Sequence, residues 1–171
     1  SDNAVDKRTR WIDRVLDSDE FPRFQALRMA DLLRVNPKVL TDGRARLFAN
    51  WLAQSMKQNM PFDELVAQML TATGDSKLVP QTNYFAAIGT VQEVTEATAQ
   101  LFMGSRIQCA KCHNHPFERW TQDNYYGMAA FFNRVQRKKS PRADELFVWV
   151  NHAGEVTQPR TGQKMTPWLP L

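Results

Sequence analysis

Apolar residues recur at helical spacing along most of the chain. From Lys7 to Asp17, Trp11, Ile12, Val15 and Leu16 fall at i, i+1, i+4 and i+5, which predicts one apolar helix face. A second helix is expected from about Pro22, a residue suited to a first turn, to Val35, with Asn36-Pro37 as its stop. Between Thr41 and Asn59 the stripe Leu47, Phe48, Trp51, Leu52 and Met56 repeats the pattern. Pro61 opens the next helix, with Asp63 and Glu64 in its first turn and Gly74 just past its end; Phe62, Leu65, Val66, Met69 and Leu70 form its inner face.

Asp75 to Gly89 reads as irregular, around an aromatic plug of Tyr84 and Phe85. Val91 to Phe102 returns to helix, with Val91, Val94, Thr98, Leu101 and Phe102 inward. A long loop, Gly104 to Trp120, follows. Thr121 is a suitable N-cap for a helix reaching about Val135, with Tyr125, Met128, Ala129 and Phe132 on its buried face. Leu146 to Val150 is β-branched and aromatic, and His152-Ala153-Gly154-Glu155 is a turn signal before Val156, so a small terminal hairpin is expected. The fold class is mainly α: an irregular multi-helix domain with a long loop and a short C-terminal β-hairpin. The methionine and aromatic stripes read as core packing.

Composition fits one compact domain over residues 1–171. The chain has 43% hydrophobic and 23% charged residues, with ten phenylalanines, five tryptophans and three tyrosines, too apolar for intrinsic disorder. No stretch approaches the apolar length of a membrane span. The formal net charge of +4 is mostly interspersed and does not point to nucleic acid. One patch stands out: Arg134, Arg137, Lys138, Lys139 and Arg142. It reads either as a solvated helix end, where cations suit the negative pole, or as a docking patch for an acidic partner, such as a redox partner protein, or an anionic glycan. Ser1-Asp2-Asn3-Ala4 resembles an expression scar, and the natural protein is expected to be longer.

The loop carries the chemistry. Cys109-Ala110-Lys111-Cys112-His113 is C-x-x-C-H, the attachment signature for c-type haem. Two thiols at this spacing reach the two vinyl groups on one porphyrin edge and form thioethers, and the following imidazole is carried over the ring to bind iron. Both cysteines of the chain are spent in the motif. Zinc is the rival cofactor, with Cys109, Cys112, His113 and His115 as potential ligands in one loop, although adjacent Cys112 and His113 can hardly share a tetrahedral ion. Met128 and His152 are the candidates for a sixth iron ligand; core packing and a solvated turn are their plain alternatives. His115-Pro116-Phe117 and Trp120 read either as a wall beside a haem edge or as a loop anchor. No nucleophile-elbow, zinc-protease, phosphate-loop or dinucleotide motif is present, so neither a hydrolase nor a nucleotide enzyme is indicated.

The block Ser105-Arg106-Ile107-Gln108-Cys109-Ala110-Lys111-Cys112-His113-Asn114-His115-Pro116-Phe117-Glu118, with Trp120-Thr121-Gln122-Asp123-Asn124-Tyr125-Tyr126-Gly127-Met128-Ala129 after it, resembles the planctomycete cytochrome-c-like domain family, DUF1549 or PSCyt2. Supporting pieces are Trp11-Ile12-Asp13-Arg14-Val15-Leu16, Met60-Pro61-Phe62-Asp63, Leu70-Thr71-Ala72-Thr73-Gly74, Gly154-Glu155-Val156 and Pro159-Arg160-Thr161-Gly162. The resemblance implies an exported bacterial protein, usually larger, with a downstream DUF1553 (PSD1) companion domain. It also carries Cys109, Cys112 and His113 over as the haem site. Two functions follow as expectations: an exported electron-transfer module with haem c, or a non-redox metal-binding or scaffolding domain of a larger, polysaccharide-related extracellular protein.

Overall fold

A computed structural model describes residues 6–140 and 144–169. The helices α1 (Lys7–Leu16), α2 (Glu20–Leu32), α3 (Pro37–Leu40), α4 (Asp42–Lys57), α5 (Phe62–Leu70), α6 (Asn83–Ile88), α7 (Val91–Phe102) and α8 (Gln122–Phe132) supply most of the regular structure. Their inner faces build one main core, in which Leu33, Leu40, Phe48, Leu52, Leu65, Met69, Tyr84 and Tyr125 are almost wholly buried. Among the described residues no helix is long and apolar enough to cross a membrane.

Helix α1 forms where the spacing predicts it, but Trp11, Ile12, Val15 and Leu16 stay about half exposed. Its face is not core, because α1 touches the remainder mainly through α2. The stretch expected to be irregular contains a 3-10 turn at Pro80–Thr82 running directly into α6, which buries Tyr84 and Phe85. Packing against the core selects helix there, where short apolar runs carry no decisive period. Thr121 caps α8 as expected, in a reciprocal capping box with Asn124.

The C-terminal β region departs from the expected hairpin. Helix α8 ends at Phe132, and the chain turns into strand β2 (Val135–Lys139). Strand β3 (Leu146–Val150) pairs antiparallel with β2 on one side and with β1 (Gly74–Asp75) on the other, in the order β1-β3-β2. It does not pair with the segment after His152. Leu146 and Val148 alternate inward onto the core, and the backbone groups of this partly buried strand find partners on both edges, which a hairpin to Val156 alone would not give. The predicted turn is instead tied to Asn133, whose Nδ2 donates to Gly154 O at 2.7 Å. Strand β4 (Val156–Thr157) pairs with β5 (Lys164–Met165), and Val156 packs on Ala129 and Ala130 of α8.

The basic patch is therefore neither a helix end nor a single face. Arg137, Lys138 and Lys139 alternate along a strand, Arg134 lies 3.5 Å from Glu155, and Arg142 falls outside the described residues. The Ser1 to Ala4 segment also falls outside them.

One turn governs how α7 follows α6. Gly89 has φ +114°, a region that L side chains avoid, and a Cβ there would collide with Glu93 Oε2. Glu93 and Thr90 form the capping box of α7: Thr90 N and Oγ1 both donate to the Glu93 carboxylate, which lowers its pKa from the ordinary 4.5. Gly89→Ala is expected to destabilise the fold by about 1–3 kcal/mol in urea unfolding, from strained backbone and displaced carboxylate. Thr90→Ala is expected to cost about 1 kcal/mol at neutral pH. Because the Glu93 pKa is depressed in the folded state, its contribution is complete above the ordinary carboxylate value and lost as pH falls through the lower folded value. The deficit of Thr90→Ala should accordingly shrink in acid; a deficit independent of pH would refute this assignment.

Candidate functional site

The motif loop sits on the core through two apolar residues, Ile107 and Ala110, both fully or almost fully buried. A 3-10 turn, Gln108–Lys111, places Cys109 in its middle; Cys112 and His113 follow, and their backbone N–H groups both donate to Cys109 O at 3.3 Å. Burying Ala110 forces its neighbours outward, so both cysteines are exposed free thiols. His113 is exposed as well, and its Nδ1 lies 2.8 Å from Asn114 O. A carbonyl oxygen only accepts, so Nδ1 carries the proton and the Nε2 lone pair is available to a metal. That is the tautomer and orientation an iron-ligating histidine requires.

His115 is committed differently. Its Nδ1 accepts from Phe117 N at 3.2 Å and Glu118 N at 3.0 Å, which places the ring proton on Nε2. Its backbone N donates to Trp120 O at 2.7 Å, and Trp120 Nε1 donates to Glu118 Oε2 at 2.8 Å. His115 and the buried Trp120 thus anchor the loop, whereas Phe117 is 91% exposed. With His115 Nε2 protonated, the four-ligand zinc set loses a member. Among the described residues no group of three or more His, Cys, Asp or Glu side chains is gathered as a metal site.

The two candidate sixth ligands lie apart from the motif. Tyr126 faces the loop, its hydroxyl donating to Lys111 O at 3.2 Å. Met128 is two residues further, about 200° round the helix. It is buried and lines a separate apolar cavity of about 380 Å³ with Val66, Leu70, Phe102 and Phe131. His152 is exposed, beyond the end of β3.

What holds the loop was not flagged by the sequence reading. Gln122, at the start of α8, donates from Nε2 to Lys111 O at 3.1 Å and to Cys112 O at 3.4 Å, while its backbone N donates to Asn114 Oδ1 at 3.1 Å. Its Oε1 accepts from Gln158 Nε2 at 3.2 Å. Gln158, completely buried, also donates to Asp123 Oδ1 and accepts from Arg160 N, Thr161 N and Thr161 Oγ1. A buried amide pair therefore joins the motif to the β4–β5 loop. The nearest sequence signal was the position of Gln122 directly after a good N-cap; Gln158 gave none. Nearby, burial first and the hydrogen bond to Glu96 second push the Tyr125 hydroxyl pKa well above its ordinary value, so it remains a donor.

Gln158→Leu keeps the volume but strands Arg160 N and Thr161 N. A loss of about 1–3 kcal/mol is expected, together with faster hydrogen exchange at Cys112 and His113. Exchange unchanged at the motif would show that the amide pair does not hold it.

No curated protein and no solved structure matches the chain. The family described as "PSCyt2: Protein of unknown function (DUF1549)" matches residues 1–137, which takes in the whole C-x-x-C-H block and stops within β2, short of the Gly154 and Pro159 pieces. The exposed thiol pair and the imidazole beside it thus stand on a chain that belongs to the PSCyt2 (DUF1549) family.

Proposed function

We propose that this chain is the haem-attaching part of an exported, c-type-cytochrome-like protein. Cys109 and Cys112 would form the thioethers, and His113 Nε2 would be the proximal iron ligand. The observation that carries the reading is the pairing of two exposed free thiols with a histidine whose Nδ1 is held by Asn114 O, leaving Nε2 for iron. Bound haem c supplies a one-electron iron couple.

The chain's own residues do the positioning. Gln122 and Tyr126 fix the carbonyls of Lys111 and Cys112, and Asn114 orients the imidazole. Fixing the ligand before and after electron transfer keeps reorganisation small, which suits an electron-transfer module rather than an enzyme acting on a small substrate. Export follows from the family resemblance and from the compartment in which haem c is attached. The exposed Phe117 marks the open side of the loop, and the downstream DUF1553-like domain is the partner we assign to it.

The test is expression with export in a host that has cytochrome c maturation machinery, read by intact mass and pyridine-haemochrome spectrum. One covalent haem per chain is expected. Cys112→Ser should abolish stable covalent attachment while the far-ultraviolet circular dichroism stays unchanged. Wild-type protein of unmodified mass, beside a control cytochrome that does mature, would overturn the haem reading. It would favour the non-redox scaffolding alternative, in which the thiol-bearing turn is a surface clamp.

A further inference from the structure

A second site is built on the opposite chemistry. Positions paired across β2 and β3 share a sheet face, and the register sets Arg137 opposite Val148 and Lys139 opposite Leu146. Val148 and Leu146 are buried, so the two cations stand on the same sheet face as these core side chains while remaining exposed at its rim; Lys138 stands opposite the exposed Phe147 on the other face. Arg137 and Lys139 meet Arg44 of α4 at a cavity of about 250 Å³, completed by Val39, Ala86 and Leu146. Among the described residues no acidic side chain lines it.

We propose that this cavity binds a tetrahedral oxyanion, sulfate or phosphate, either free or as the ester group of a larger molecule. Arg44 carries the argument. It is 4% exposed, and its one hydrogen bond among the described residues runs from Nε to Asn83 Oδ1 at 2.9 Å. Asn83 is itself fixed, with Nδ2 donating to Ser76 O and Pro80 O at 3.0 Å each. A guanidinium has five N–H donors, and the Nη groups of Arg44 are not stranded in the core but open onto the cavity, where a ligand can take them.

The acids nearby do not supply a partner. Asp144 influences Arg44 and Glu93 influences Arg137, but neither forms an ion pair with them among the described residues. Asp144 accepts from Thr41 Oγ1, and Glu93 is engaged by Thr90. Arg137 is steadied by a bond from its guanidinium to Phe85 O. Three cations, one from a helix and two from one face of a strand, line the same cavity. That arrangement matches a tetrahedral dianion better than a planar carboxylate, for which one arginine fork suffices. Charges on an edge strand also deter strand pairing, but that role would not require a buried Arg44 on a separate element.

The experiment titrates inorganic sulfate and phosphate into the protein at constant ionic strength, with chloride as the balancing ion. Binding is followed by NMR of the backbone amides and the arginine Nε–H groups. Saturable shifts are expected at Arg44 Nε–H and at the Phe85 and Ala86 amides. Arg137→Gln and Lys139→Gln should each raise the Kd about tenfold, whereas Lys138→Gln on the outer face should leave it within about twofold. A sugar sulfate and a sugar phosphate distinguish the sources: tighter binding than the inorganic ions assigns an ester, weaker binding a free ion. Non-saturating shifts, or an equal loss from Lys138→Gln, would overturn the proposal. The readout is independent of whether Cys109 and Cys112 carry haem.

Discussion

The side-chain amide of Gln122 is the junction on which the candidate site depends. It donates to two carbonyls of the motif loop and accepts from Gln158, inside a region from which water is largely excluded. Buried amides are costly when unpaired, so the arrangement is stable only when all its partners are present. The capped start of α8, the loop at Cys112 and the β4–β5 turn therefore behave as one unit. The exposed thiols and imidazole can be held in a fixed direction because the backbone beneath them is not free to move.

The molecule divides its chemistry between two places. At the loop, burial of Ala110 and Ile107 pushes soft ligands, thiol and imidazole, out to solvent. At the cavity between α4 and β2, strand register sets two exposed cations on the face that carries Leu146 and Val148, beside Arg44 of α4. The first arrangement suits a covalently attached or coordinated group with one face open to a neighbouring domain. The second suits a small anion met by three basic side chains at an open cavity. Both belong to the same core, yet neither shares a lining residue with the apolar cavity at Met128.

The sequence by itself determined the helices whose apolar period is long, the capping of α8 by Thr121, and the spacing of the motif Cys109-Ala110-Lys111-Cys112-His113. These are local: each depends on residues within a turn or two of one another. Tertiary structure alone decided that β3 pairs with β1 and β2 rather than with the segment after His152, because strand pairing is a contest between distant partners. It decided that the apolar face of α1 stays exposed, that His115 anchors the loop, and that Met128 points away from it. It also turned a run of basic residues, which in sequence looks like one patch, into cations on opposite faces of a strand. A linear pattern records which side chains lie near along the chain; only packing against other elements decides which way each one faces and what it meets there.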